Sequence, residues 1–264
     1  HPLLIDRFRI ERLLGEGGMA YTYVARDPDL DRNVTLKVMK PAICRQDDLR
    51  RLFTEEGKAL AALPPHPHVV QAYEFLDSES APCLVMEYVD GEALIDIVPE
   101  DGMPLKLGLD IAIAAAQGLH HVHRHQMVHL DIKSENVMVT KKGTPKLIDF
   151  GLAQRGNESR ESDVILGTPC YMSPEQAMGK PLDPASDVYS FGVMLYELFA
   201  GDVPFDDADP REILKAHVNQ TPEPMSMHRP GLPDGLVLLV QDMLEKVPDN
   251  RPWMVEGASR LSRI

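Results

Sequence analysis

The stretch His129-Leu130-Asp131-Ile132-Lys133-Ser134-Glu135-Asn136 puts an acid, a base and an amide into one short loop. A carboxylate at Asp131 can accept the proton of a hydroxyl group, an ammonium at Lys133 can neutralise a phosphoryl group in transit, and the carbonyl oxygen of Asn136 can ligate a hard cation. Asp149-Phe150-Gly151 follows the strand-like run Lys146-Leu147-Ile148 and offers a second ligand for such a cation. Asp-Phe-Gly alone is common by chance; in order after this loop it is not. Upstream, Gly15-Glu16-Gly17-Gly18-Met19-Ala20 lies between two β-prone runs, where glycine lets the backbone fold closely over phosphates and present its N–H groups. Taken by itself, that stretch also reads as an ordinary hairpin turn. It is not a dinucleotide-binding fingerprint, because a strand rather than a helix comes next. Lys37 sits in the following run, Val34-Thr35-Leu36-Lys37-Val38, and a glycine-rich hairpin followed by a strand lysine is the order a triphosphate clamp requires.

These groups need elements to hold them. Up to about Glu87 the chain reads as short strands, Phe8 to Leu14, Tyr21 to Arg26, Val34 to Met39, Val69 to Phe75 and Leu84 to Met86, around one helix from Asp47 to Leu63. After Asp90-Gly91 helices dominate: Leu105 to His125, Ala185 to Phe199 with apolar residues on most faces, Leu236 to Lys246, and Met254 to Leu261. The two regions meet at Glu87 to Gly91. In the first helix Leu49, Leu52, Phe53, Leu60 and Leu63 form one stripe, and Glu56 falls in its middle. A carboxylate on a buried stripe demands a cation from the neighbouring sheet, and Lys37 is the candidate. The alternative is that Glu56 reaches solvent past a small neighbour.

With 264 residues, 44% of them hydrophobic, the chain can bury a substantial core as one large or two small domains. No apolar run approaches the roughly 20 residues that span a bilayer, so no membrane segment is expected in this fragment. The chain starts at His1 and reads as a piece of a longer protein, whose flanks would hold any sensor or anchor. A formal charge of -14 argues against a nucleic-acid partner or an anionic membrane. Cys44, Cys83 and Cys170 show no metal or redox spacing and suit reduced thiols, hence a cytoplasmic location.

Taken together these motifs resemble the protein kinase family, from the glycine-rich loop through Asn250-Arg251-Pro252. The resemblance is greatest to bacterial serine/threonine kinases of eukaryotic type, through Gly-Glu-Gly-Gly-Met followed by Tyr23 and through Met86-Glu87-Tyr88-Val89-Asp90-Gly91. It implies an α+β fold of two lobes: a small β-rich lobe with one main helix over 1–86, a hinge at 87–91 and a larger helical lobe over 92–264. It implies transfer of the ATP γ-phosphoryl group to Ser or Thr of protein substrates, with Mg2+. Asp131 would be the catalytic base, Lys133 the mark of Ser/Thr specificity, and Asn136 and Asp149 the magnesium ligands. Lys37, paired with Glu56, would contact the α- and β-phosphates beneath Gly15, Glu16, Gly17, Gly18, Met19 and Ala20. Met86 would stand behind the adenine, Glu87 and Val89 would offer backbone groups to its edge, Leu14 and Met138 would cover and floor it, and Thr22 and Thr35 would roof it. Thr168, after Gly167, would bridge toward Asp131 and Lys133. Glu175 of Ser173-Pro174-Glu175 would pair with Arg251, and Asp187 would hold the loop's backbone, cap its helix, or do both.

Three departures modify this expectation. Leu130 stands where the family usually has an arginine that receives an activating phosphate, and the segment between Gly151 and Gly167 carries Ser159 and Ser162 among acids but no Thr. Activity is therefore expected not to require phosphorylation there, and control is expected from partners or flanking domains. Ala20 replaces the usual third glycine, a mild change. Thr22 and Thr35 replace the usual Val and Ala, so bulky hinge ligands are expected to bind more weakly than to a Thr35→Ala variant. The competing readings are a pseudokinase that binds nucleotide and partners without catalysis, and a small-molecule kinase. Lys133, Thr168 and Ser-Pro-Glu favour a protein substrate over the latter.

Overall fold

The structure, a computed structural model, describes residues 4–78, 82–150 and 168–264; Gly151, Ser159, Ser162 and Gly167 lie outside them. The described residues form two units, 4–66 with 70–78 and 82–90, and 67–69 with 91–150 and 168–264.

The smaller unit is a six-stranded antiparallel sheet and one main helix. Strands β1 (Leu4–Ile5), β2 (Phe8–Glu16), β3 (Ala20–Asp27), β4 (Arg32–Met39), β5 (Ala72–Leu76) and β6 (Cys83–Glu87) run in the order β1-β2-β3-β4-β6-β5. The alternation of β4 puts Val34, Leu36 and Val38 on one face, where they pack with Phe8, Ala25, Cys83 and Val85. A short helix α1 (Pro41–Cys44) leads to α2 (Asp47–Ala61), which begins with Asp47 and Asp48 at its positive end. α2 stops before the predicted Leu63 because Pro64 disfavours helical backbone in the residue before it. Its Phe53 ring lies 5.9 Å from that of Phe75 on β5. Gly57 allows that approach, since a Cβ there would stand 2.5 Å from Phe75.

The predicted strand from Val69 is shorter than its apolar run. β5 begins at Ala72, while Val69 forms a parallel bridge to Leu147 and the His68 carbonyl accepts from Leu147 N–H at 2.9 Å. Residues 67–69 therefore go with the larger unit, which resumes at Gly91.

The larger unit holds a small sheet, β7 (Gly91–Ala93), β8 (Val137–Thr140) and β9 (Pro145–Leu147), and helices α3 (Leu94–Ile97), α4 (Leu105–Arg124), α5 (Pro174–Ala177), α6 (Pro184–Ala200), α7 (Pro210–Asn219), α8 (Met225–His228), α9 (Asp234–Met243) and α10 (Met254–Leu261). Short 3-10 turns occupy Ser134–Asn136, Pro169–Tyr171 and Pro248–Asn250. α6 is the axis of the unit, and every residue from Ser186 to Phe199 is buried, as a helix apolar on most faces requires. It ends at Gly201, whose φ of 86° and whose contact with the Glu100 carbonyl exclude a side chain. Among the described residues no helix is long and apolar enough to cross a membrane.

Candidate functional site

In the larger unit the loop after α4 runs back along α6. Asp187, buried in the first turn of α6, accepts from His129 N–H and His123 Nε2 on Oδ2, both at 2.8 Å, and from Leu130 N–H on Oδ1 at 2.7 Å. The helix cap is Asp183, which accepts from Ala185 N–H at 2.8 Å, so Asp187 serves the loop and not the cap. Gln176 closes the opposite side by donating to the Leu130 carbonyl at 3.2 Å. Leu130 is thereby held at φ 62°, a left-handed backbone uncommon for leucine, with its side chain buried. His129 is fully buried, which pushes its imidazole toward the neutral form. It bonds the Ile148 carbonyl through Nε2 at 3.0 Å, its Nδ1 lies 3.4 Å from Asp131 N–H, and its ring stacks on Phe150 at 4.4 Å.

This scaffold brings five of the expected residues together. Asn136 Nδ2 donates at 2.8 Å both to the Asp131 carbonyl and to Asp131 Oδ2. Lys133 Nζ lies 3.4 Å from Asp131 Oδ2 and donates to Thr168 Oγ1 at 2.8 Å. The Asn136 carbonyl accepts from Ile148 N–H at 2.9 Å, which places Asp149, exposed and at φ 54°, beside this group. Since the amide nitrogen of Asn136 faces Asp131, its side-chain oxygen points the other way. Asn136 and Asp149 thus supply hard oxygen donors; among the described residues no group of three or more His, Cys, Asp or Glu gathers for a metal. Two protein oxygens are what magnesium takes when water and phosphates complete its shell. Glu175, buried in α5, receives two bonds from Arg251 at 2.7 and 2.9 Å, and its carboxyl is held below the usual range by that guanidinium against the opposing effect of burial.

The smaller unit holds the other expected residues except Met138. β2 and β3 form the glycine hairpin, with Gly15 opposite Thr22 and Gly17 N–H bonded to the Ala20 carbonyl at 2.9 Å. A Cβ at Gly15 or Gly18 would meet nothing within 4 Å, and neither residue has positive φ. Neither backbone conformation nor protein packing therefore calls for glycine at these two positions. On β4, Lys37 lies opposite Thr22 and Leu84, and Thr35 opposite Met86 of β6. Lys37 and Glu56 of α2 are both half-buried, and each has a polar or electrostatic partner. Met86 is buried, Val89 half-buried and Leu14 exposed. Glu87 N–H donates to the Gln71 carbonyl at 2.8 Å, and its carboxylate accepts from Gln71 N–H at 3.2 Å. Met138, half-buried on β8, belongs to the larger unit.

Sequence reasoning missed His123 and Gln176. His123 is one of several histidines near the end of α4 and carries no local signal. Gln176 had one, since Ser173 and Gln176 form a capping box at α5, but a cap pattern does not reveal that the same amide reaches Leu130.

Residues 8–259 match the family model described as the protein kinase domain. The chain is 38% identical over 95% of its length to serine/threonine-protein kinase pkn2 of Myxococcus xanthus, covering 31% of that protein. It is 38% identical over 94% of its length to serine/threonine-protein kinase PknB of Mycolicibacterium smegmatis, covering 41% of it. The chain thus spans between about a third and two fifths of the curated relatives it matches. Among solved structures, the PknI kinase domain of Mycobacterium tuberculosis matches with a TM-score of 0.77 at 26% identity, over 99% of this chain and 97% of that one.

Proposed function

Because the chain belongs to the protein kinase family, we propose that it is a catalytically competent ATP-dependent serine/threonine kinase domain acting on protein substrates. The observation that carries this reading is the cluster Asp131, Lys133, Asn136 and Thr168, in which Asn136 and Lys133 both approach the Asp131 carboxylate and Lys133 also donates to Thr168. Asp131 orients the acceptor hydroxyl and takes its proton as the hydroxyl oxygen bonds to the γ-phosphorus and the bond to the ADP oxygen breaks. Lys133, held by Thr168, places a positive charge beside the phosphoryl group during transfer.

Asn136 and Asp149 would hold Mg2+, which supplies neutralisation of charge on the phosphate oxygens. Lys37 contacts the α- and β-phosphates and pairs with Glu56. The hairpin backbone from Gly15 to Ala20 covers the phosphates; the lack of any protein-internal reason for glycine at Gly15 and Gly18 supports this. Met86 stands behind the adenine, Glu87 and Val89 offer backbone groups to its edge, and Leu14, Thr22, Thr35 and Met138 contact the ring.

The test is incubation of the domain with Mg2+ and γ-labelled ATP, alone and with a generic basic protein. Label is expected on Ser or Thr, and Asp131→Asn should lower the rate ~10²- to 10⁴-fold. Magnesium-dependent ATP binding without transfer to any protein, itself included, would leave a non-catalytic scaffold instead.

A further inference from the structure

Ser134 lies in the 3-10 turn that carries Asn136, directly after Lys133, and is fully buried. Tyr171 ends the 3-10 turn that Thr168 precedes, and is also buried. The hydroxyls of Tyr171, at 2.7 Å, and of Ser134 donate to the same oxygen, Oε2 of Glu197 on α6. α6 holds Tyr171 a second time, through Ser190 Oγ, which donates to the Tyr171 carbonyl at 2.8 Å. The catalytic loop is likewise attached to α6 at both ends, by Asp187 at His129 and Leu130 and by Glu197 at Ser134. These anchors stand ten residues apart on one buried helix, roughly 15 Å along its axis.

A buried carboxylate is costly unless it is paired, and apolar residues of similar size would serve a merely structural core as well. The bonded partners of Glu197 are two neutral hydroxyls rather than a cation. Burial raises its carboxyl, the hydroxyls of Ser134 and Tyr171 pull it back, and the charges of Glu135 and Asp202 raise it further. What the carboxylate does is join two segments whose next polar groups, Lys133 and Thr168, meet at 2.8 Å.

We propose that Glu197 is a positioning residue for phosphoryl transfer: accepting Ser134 and Tyr171 on one oxygen, it sets the catalytic loop in register with the turn carrying Thr168. The Lys133–Thr168 contact that orients the acceptor then forms without rearrangement. This rests on the kinase reading of the same site, and the test separates the two. Wild type, Glu197→Gln, Ser134→Ala, Tyr171→Phe and the double variant Ser134→Ala/Glu197→Gln are compared for melting, Mg2+-ATP binding and transfer to a peptide.

Glu197→Gln is expected to lower kcat about tenfold or more, with the Kd for Mg2+-ATP within twofold of wild type. Ser134→Ala should lower kcat by less, and its effect should largely vanish when Glu197 is already Gln, because the two act through one bond. If Glu197→Gln does not fold, Ser134→Ala carries the test: reduced kcat at unchanged ATP affinity supports the proposal. Unchanged kcat in the folded variants, or independent additive effects of Ser134 and Glu197, overturns it while leaving the kinase reading intact. Wild type that transfers to no protein overturns that reading and this inference with it.

Discussion

Asp187 sets its two oxygens against three donors from two other parts of the unit, and two of those donors are backbone N–H groups of the loop that carries Asp131. A buried N–H left without an acceptor costs about 1–3 kcal/mol. Asp187→Ala should therefore destabilise by roughly 2–5 kcal/mol in chemical denaturation, and Asp187→Asn by less because one acceptor oxygen remains. The left-handed backbone of Leu130, unfavourable by about 1–2 kcal/mol for such a residue, depends on the same clamp. Its side chain is buried and uncharged. In the smaller unit, Lys37→Met should reduce phosphotransfer at least as much as Glu56→Gln, since the glutamate is proposed to act only through the lysine. Steady-state kinetics with varied ATP checks that order.

Elements transmit such positions only as well as they pack. Gly57 lies where α2 touches Phe75 of β5, so Gly57→Val must push helix and strand apart. Overpacking of this kind costs typically about 1–3 kcal/mol, and because Glu56 is the preceding residue, the KM for ATP should rise along with the fall in melting temperature. α5 depends on the buried pair of Glu175 with Arg251. Removing one member leaves a buried charge unmatched, so Arg251→Ala should cost about 3–5 kcal/mol. Glu175→Gln in the Arg251→Ala background should recover part of that loss, which a double-mutant cycle in denaturant measures. The pair's linkage has the usual carboxylate sign: with the native pKa of Glu175 lowered, its contribution is present above the ordinary 4.5 and disappears as pH falls through the native value.

For the molecule as a whole, His217 is buried between Tyr189 and the Cys170 carbonyl, with Lys246 donating to Tyr189 at 3.1 Å. Burial first, and then the charge of Lys246, lower its imidazole from the ordinary 6.5 to about 4. Between those values the unfolded chain takes a proton that the native one refuses, so stability falls as pH drops from about 6.5 toward 4. The loss approaches about 3 kcal/mol, and His217→Gln should flatten the dependence of melting on pH across that window relative to wild type.

Local chemistry was legible throughout the chain: the order of glycine hairpin, strand lysine, Asp131 loop and Asp149, the stripe of α2, and the all-round apolar α6 each follow from residue types at short spacing. Resemblance to a family added the pairing of Glu175 with Arg251 and the role of Asp187, which no local pattern contains. Tertiary structure alone decided that Val69 bridges Leu147 instead of opening β5, that Gln176 reaches Leu130, and that Ser134 and Tyr171 share one oxygen of Glu197. The reason is physical: periodicity shows that a residue is buried, but the partner that satisfies a buried polar group comes from wherever packing brings a complementary atom, 63 residues along the chain for Ser134 and Glu197.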